Sequence, residues 1–286
     1  MAALVDRPEM DMRTSNVFRA AIALSILCQA TAGPARAAGT APFVVPDEIT
    51  VPSGPDGAAI NLGKALIVET KKRLPRNVGN ALNCSNCHLG AGTVAFAGPF
   101  VGLWGVFPEY RARDGDIDSL QTRINDCFLR SMNGKPLAWD SKEMNAILMY
   151  VRWLSTGVPT GTSVTGRGMG SVDTTLKPNA VRGKQIYAMK CASCHGADGA
   201  GVANPAGGYF FAPVWGNASF NVGAGMARTY TAAAFIKHNM PLGQGNTLSD
   251  QDAIDVAEYV THQPRPAFAA GKADYAKGQK PKDARN

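Results

Sequence analysis

One pentapeptide pattern occurs twice in this chain, as Cys84-Ser85-Asn86-Cys87-His88 and as Cys191-Ala192-Ser193-Cys194-His195. The pattern C-x-x-C-H attaches a c-type haem, because its two thiols add to the porphyrin vinyl groups and the adjacent histidine binds the iron. Two copies in separate helical segments predict two covalently bound haem c groups. We therefore expect an all-α chain of two tandem cytochrome c-type domains joined by a linker, each built around its own haem.

Residues 1–37 have the features of a secretory signal peptide. Arg13 and Arg19 form a positive region, residues 20–30 are apolar but too few to span a bilayer, and Ala35-Arg36-Ala37 is a cleavage site of the A-x-A type. No later run is long and apolar enough to span a membrane. We expect an exported, periplasmic protein, which suits haem attachment outside the bacterial cytoplasm.

The net charge of +7 fits an anionic substrate or an acidic partner, and it equally fits an ordinary solvated surface. No nucleic-acid-binding motif is present in the sequence. We therefore expect no nucleic-acid partner, and charge alone does not choose between the other two interpretations.

The chain after the signal peptide resembles a divergent repeat. In each half, an opening helix precedes the haem motif and an amphipathic helix closes the half after a long Gly- and Pro-rich stretch. The predicted helices are residues 61–72, 141–154, 179–190 and 249–261. The pattern predicts an N-terminal domain at 38–156 that begins with an extended arm, a linker at 157–177, a C-terminal domain at 178–266 and a flexible tail at 267–286.

Each haem iron needs a second axial ligand from elsewhere in the chain, and that ligand sets its reduction potential. For the second haem, Met240 lies 45 residues beyond His195 and is followed by Pro241, which stiffens an extended segment. His238 is a competing ligand two residues away. We predict that Met240 binds the iron and that His238 is a surface residue.

Two candidates exist for the second ligand of the first haem. Met132 would suit an ordinary electron carrier. Cys127, 39 residues after His88, is the one cysteine that remains once the haem-attachment cysteines and Cys28 of the signal peptide are set aside. A thiolate on the iron would make that haem a poor relay, but a thiolate can also be a nucleophile. The alternative is that Cys127 is a small buried apolar residue.

Basic and polar residues cluster in sequence around Cys127. Arginine and lysine side chains could hold an oxyanion by charge-assisted hydrogen bonds. They could also pair with haem propionates or lie in solvent. The cluster consists of Arg111, Arg113, Arg123, Arg130, Ser131 and Lys135.

The segments VGLWGVFPEYRAR at 101–113, LQTRINDC at 120–127 and RSMNGKPL at 130–137 resemble the di-haem thiosulfate dehydrogenases. The resemblance covers nearly the whole mature chain, and the motif centred on Cys127 is specific. It implies that His88 and Cys127 bind the iron of an active-site haem. It also implies the substrate contacts, in falling order, Arg113, Arg123, Ser131 and Lys135.

The family joins two thiosulfates into tetrathionate and releases two electrons. The resemblance implies covalent catalysis by Cys127 and a second, His/Met-ligated haem that passes electrons to an external acceptor, such as a small cytochrome c or a high-potential iron-sulfur protein. The reverse reaction, tetrathionate reduction, is a possible physiological direction. The alternatives are a non-catalytic di-haem electron carrier and a thiosulfate-conjugating subunit that needs a partner chain.

One position departs from part of the family. Some members carry a lysine directly before the second-haem methionine, where it could compete for the iron. This chain has Asn239 there. We therefore predict constant His195/Met240 ligation, with no exchange of ligands at the second haem.

Overall fold

The computed structural model describes residues 39–205 and 208–285 of the 286-residue chain. The predicted signal peptide at 1–37, with Cys28, lies outside the described residues. The predicted all-α class is confirmed, because the regular structure consists mainly of helices. Strands in the described residues are two or three residues long and form three separate two-stranded sheets. No helix of this part of the chain is long and apolar enough to cross a membrane.

The α-helices are α1 (Pro55–Val68), α2 (Thr70–Arg73), α3 (Leu89–Gly92), α4 (Leu120–Asp126), α5 (Lys142–Leu154), α6 (Ala180–Lys190), α7 (Ala192–His195), α8 (Thr229–Asn239) and α9 (Asp250–Thr261). The strands are β1 (Thr40–Ala41), β2 (Glu109–Arg111), β3 (Asp116–Asp118), β4 (Ser163–Val164), β5 (Val202–Ala203) and β6 (Tyr209–Phe211). Short 3-10 turns occur at Glu48–Thr50, Cys84–Asn86, Trp104–Val106, Gly225–Ala227 and Ala269–Ala273, and a π-helical turn at Cys127–Ser131. We call residues 39–156 the first half and 178–266 the second half.

The two halves share one helix crossing. In the first half α1 packs on α5 at Gly63, where a Cβ atom would lie 2.1 Å from the carbonyl oxygen of Ala146. In the second half α6 packs on α9 at Gly183, where a Cβ would lie 1.9 Å from the carbonyl oxygen of Asp255. Both distances are far below van der Waals contact, so only glycine allows these close crossings. The equivalence supports the repeat that the sequence predicted.

Polar caps set the starts of three predicted helices. The side chains of Ser141, Asn179 and Ser249 each accept a hydrogen bond from the backbone N–H three residues ahead. These residues are therefore N-caps, and their helices begin one residue later than predicted. The first opening helix differs more, because Pro55 begins it well before residue 61 and it breaks after Val68. Proline is favoured at this first helical position since its missing N–H needs no partner there.

The arm and the linker lie on the first half. Strand β1 of the arm pairs in parallel with β4 of the linker. The carbonyl groups of Gly166 and Gly168 accept hydrogen bonds from the N–H groups of Phe96 and Gly98, at 2.7 and 2.8 Å. The linker is thereby hydrogen-bonded to the loop that follows the first haem motif.

The tail packs on the first half through Asp274 and Tyr275, whereas its composition predicted a flexible end. Asp274 accepts two hydrogen bonds from the guanidinium group of Arg130, at 2.7 and 2.8 Å. The N–H of Tyr275, a buried residue, donates to the carbonyl of Arg113 at 2.7 Å. Arg130 and Asp274 are 144 residues apart, so the local composition of the tail could not reveal their ion pair.

Replacing Asp274 by alanine should lower the free energy of unfolding of the holoprotein by about 3 kcal/mol, because Arg130 would lose its two-pronged partner in a buried site. Urea unfolding followed by circular dichroism measures this loss. The matched control is Asp283→Ala in the same tail, where the carboxylate accepts one bond from the N–H of Tyr230 and the expected loss is about 1 kcal/mol. Equal losses in the two variants would contradict the assigned role of the Arg130–Asp274 pair.

Candidate haem and active site

The first haem motif opens onto a cavity of about 290 Å³. Cys84, Cys87 and His88 line this first cavity together with Cys127 and Met132. Both candidate ligands of the first haem therefore face the same space as the motif. Met132 is 3% exposed and belongs to the main hydrophobic core.

The second haem motif opens onto a cavity of about 310 Å³. Cys191, Cys194 and His195 line this second cavity together with Met240. His238 is directed elsewhere: its ring stacks on Phe96 with a centroid distance of 4.4 Å, and its Nδ1 lies 2.8 Å from Oδ1 of Asn246. Met240 therefore shares the second cavity with the haem motif and His238 does not line it, while the role of Met240 as iron ligand stays a prediction.

Both motif histidines are oriented by a backbone carbonyl. Nδ1 of His88 is hydrogen-bonded to the carbonyl of Gly98, and Nδ1 of His195 to that of Ala212 at 2.9 Å. A carbonyl oxygen only accepts, so Nδ1 carries the proton in both rings and Nε2 is left with a free lone pair. Such a bond fixes the tautomer and the ring plane of a metal-binding histidine.

The two cavities fit two haem c groups. Each offers a pair of thiols, an oriented imidazole and at least one further sulfur, which is the donor set that a c-type iron takes. The walls share Cys87 and Met226, so the cavities are immediate neighbours. Two haems held in this way would lie next to one another, as electron transfer between them requires.

Cys127 lies at a change in helix type. Helix α4 ends at Asp126, and Cys127 begins the π-helical turn that runs to Ser131. The N–H of Met132 donates to the carbonyl of Cys127 at 2.8 Å, five residues back. Single π-turns are uncommon and occur often at functional sites.

One neighbour acts on the thiol of Cys127 by a hydrogen bond. Nη1 of Arg123, one helical turn earlier, donates to the sulfur at 2.9 Å. Burial raises the pKa of Cys127, but the charge of Arg123 and its hydrogen bond to the sulfur act in the opposite direction, and the net effect is a lowered pKa. Arg123 therefore favours the thiolate of Cys127, the form that binds metals and attacks electrophiles.

Five of the six basic and polar residues predicted around Cys127 line the first cavity. Lys135 is the exception, because it is exposed and its backbone N–H donates to the carbonyl of Asn77 outside the cavity. The exposed position of Lys135 argues against the predicted substrate contact. The residues that do line the cavity are Arg111, Arg113, Arg123, Arg130 and Ser131.

Carboxylates neutralise two of these arginines. Arg130 pairs with Asp126 and Asp274, and Arg111 lies 3.6 Å from Asp118. Burial and a hydrogen bond with Asp114 raise the pKa of Asp118 to about 6. Oxygens of Asp114, Asp118 and Asp126 lie within 4.8 Å of one another, and the neighbouring arginines already balance this acidic cluster.

Arg113 and Arg123 are less engaged with carboxylates. The guanidinium group of Arg113 lies 4.0 Å from a carboxylate oxygen of Asp274, and the side chain of Arg123 donates a hydrogen bond to Cys127. These two guanidinium groups are the better placed of the predicted set to bind an anion beside Cys127.

The first cavity is also lined by two arginines that the sequence did not indicate. Arg167 belongs to the linker and pairs with Glu109, and Arg228 directly precedes α8 in the second half. Both are far from Cys127 along the chain, so no spacing in the sequence connects them with it.

Comparisons with known proteins agree with this geometry. Residues 76–160 match the model of the SoxA/TsdA cytochrome c domain, and residues 180–264 match that of cytochrome c. A thiosulfate dehydrogenase of Psychrobacter arcticus is 50% identical over 257 residues, which are 90% of this chain and 79% of the relative. One of Allochromatium vinosum is 46% identical over 82% of this chain and 88% of its own length.

The chain belongs to the thiosulfate dehydrogenase family. This membership confirms the resemblance seen in the sequence, and the two matched domains confirm the tandem cytochrome c architecture with two covalently bound haem c groups. A solved structure, thiosulfate dehydrogenase (TsdBA) from Marichromatium purpuratum in its "as isolated" form, is similar with a TM-score of 0.73 and 38% identity over 81% of this chain. Our chain spans about half (51%) of that chain.

Asn239 is buried between the two halves. It occupies the position at which some members of the family carry lysine. Its Nδ2 donates to the carbonyls of Phe96 and Phe235, both at 3.0 Å. The amide is thus fixed by hydrogen bonds in both halves and carries no amine that could replace Met240. The constant ligation of the second haem stays a prediction.

The oxidised holoprotein should show the weak charge-transfer band between thioether sulfur and ferric iron, and Met240→Ala should abolish it because the methionine supplies that sulfur. Visible and near-infrared absorption spectroscopy measures the band. The control is His238→Ala, two residues away, which should retain it. A band that survives Met240→Ala, or that disappears in His238→Ala alone, would contradict the ligand assignment.

Proposed function

We propose that this chain oxidises two thiosulfate ions to tetrathionate in the first cavity, with Cys127 as the covalent nucleophile. One observation carries the proposal: the buried sulfur of Cys127 accepts a hydrogen bond from Arg123 and shares with the haem histidine His88 a cavity lined by arginines. Names of the relatives support the same substrate. An ordinary electron carrier has no use for such a thiolate.

The chemistry of Cys127 divides the reaction into two simpler steps. In the first step, the thiolate forms a bond to the outer sulfur of one thiosulfate, and this sulfur–sulfur bond formation releases two electrons. In the second step, the outer sulfur of another thiosulfate attacks the sulfur bound to Cys127. Tetrathionate leaves and the Cys127 thiolate is restored, so that two thiosulfates yield one tetrathionate and two electrons.

The surrounding guanidinium groups bring two dianions together. Two thiosulfates repel one another, and Arg113 and Arg123 would offset that repulsion with charges fixed in place before the substrate arrives. Ser131, which follows Cys127 by four residues and lines the same cavity, could donate a hydrogen bond to a sulfonate oxygen. Arg123 also stabilises Cys127 as a leaving thiolate in the second step.

The two haems, when bound, supply one-electron acceptors for the two electrons. His88 and Cys127 would hold the iron of the first, and His195 and Met240 that of the second. We further propose that electrons leave through the second haem to an external acceptor, such as a small cytochrome c or a high-potential iron-sulfur protein. We also propose that the enzyme is exported to the periplasm. The same site could run the reaction in reverse, as a tetrathionate reductase.

Purified holoprotein should reduce ferricyanide in the presence of thiosulfate and form tetrathionate, whereas Cys127→Ala should have no turnover because it lacks the nucleophile. Tetrathionate is quantified beside the absorbance change. The matched control is Met132→Leu in the same cavity, which should retain turnover.

Three other outcomes would contradict parts of the proposal. No turnover in wild type or in any variant would leave an electron carrier or a subunit that requires a partner. Equal turnover in wild type and Cys127→Ala, with both haems attached, would remove Cys127 from the mechanism. A Met132→Leu variant with an altered first-haem spectrum would favour Met132 as the iron ligand.

Replacing Arg123 by glutamine should lower kcat/KM for thiosulfate by about 100-fold, since a charge aimed at the reacting sulfur is lost. Steady-state kinetics with ferricyanide measures the loss. Lys135→Gln removes the same charge from a position outside the cavity, and its kcat/KM should change by less than about threefold, as expected of a surface charge. A comparable loss in both variants would place Lys135 in the site after all.

A further inference from the structure

Arg228 brings a cation from the second half into the first cavity. It directly precedes helix α8, and it lines the cavity beside Met226 and Thr231, which belong to the same half. Its Nε is buried and has no hydrogen-bond partner among the described residues. Within the residues that the structure describes, the side chain of Arg228 forms no ion pair.

The other arginines of the first cavity have a charged or sulfur neighbour, although the Nε atom of Arg111 is also buried without a hydrogen bond. Arg123 donates to the sulfur of Cys127. Burying a guanidinium N–H without a partner is costly, because the group loses its hydration and gains no hydrogen bond in return. The arginines with a carboxylate oxygen within 4.0 Å are Arg111, Arg113, Arg130 and Arg167.

We propose that Arg228 binds an anionic oxygen group inside the first cavity, across the boundary between the two halves. A guanidinium group matches carboxylate and sulfonate oxygens equally well, because both accept two parallel N–H bonds. The group is therefore either a propionate of the first haem or the sulfonate end of thiosulfate. Only the second of these sources rests on the proposed function.

Helix α8 connects Arg228 in the first cavity with Met240 in the second cavity. The helix begins directly after Arg228 and ends at Asn239, directly before Met240 of the second cavity. One rigid element thus carries an anion contact for the first cavity at one end and the predicted iron ligand of the second at the other. The first cavity is incomplete without the second half.

The test compares Arg228→Gln and Arg228→Lys with wild type, all as holoprotein. Three quantities are measured: the midpoint potential of the first haem by spectroelectrochemistry, binding of thiosulfate to the oxidised protein by calorimetry, and KM and kcat with ferricyanide. The control is Arg152→Gln, which removes the same charge from an exposed position on α5.

Each source of the anion gives its own result. If Arg228 binds thiosulfate, Arg228→Gln weakens binding and raises KM by about tenfold or more, the worth of one charge-assisted hydrogen bond, with kcat changed little. If it binds a propionate, the potential of the first haem shifts downward and thiosulfate affinity is unchanged, because the reduced haem loses a stabilising positive charge. Arg228→Lys should restore most of either effect.

The proposal is overturned if Arg228→Gln matches Arg152→Gln in both potential and affinity. A first haem lost from the glutamine variant and retained in the lysine variant supports it, and loss from both variants contradicts it. If wild type fails to turn over thiosulfate, the proposed function fails, yet the potential and the calorimetry still decide the role of Arg228.

Discussion

The buried sulfur of Cys127 is held as a negative charge would be, because a guanidinium group lies one helical turn away and donates a hydrogen bond to it. Arg123 and Cys127 are four residues apart, the spacing at which helical side chains meet, and the N–H to sulfur distance is 2.9 Å. Burial alone would keep the thiol protonated, because it disfavours the charged form. The arginine reverses that balance, and the remaining arginines of the cavity then surround a negative sulfur.

The surrounding structure fixes this pair from several directions. The loop at 96–98 accepts the bond from His88, is hydrogen-bonded to the linker and receives the amide of Asn239 from the second half. The tail adds Asp274, which holds Arg130 on the π-helical turn that starts at Cys127. Much of the chain outside the first half therefore serves to position the first cavity, and the adjacent second cavity is the proposed route for electrons out of it.

Features that depend on near neighbours in sequence were predictable. The haem motifs lie within five residues and the helix caps within three. The proline after Met240 drew attention to that residue, which lines the second cavity, and its role as iron ligand stays a prediction. Contacts between distant segments were not predictable, because nothing local in Arg228 or Asp274 indicates which residue faces it across the fold. Lys135 illustrates the same limit: it is close to Cys127 in sequence, yet it is exposed and does not line the first cavity. The exact limits of the domains stay predictions.

Peptide mass spectrometry of Cys127 tests the central claim most directly. Oxidised holoprotein would receive thiosulfate in an amount below one equivalent, with no external acceptor, so that the two haems take up the two electrons and little thiosulfate remains for the second step. The account predicts a peptide in which Cys127 carries one added thiosulfate unit, and reduced haem in proportion. An unmodified Cys127 in protein whose haems have been reduced by thiosulfate would contradict covalent catalysis at this residue.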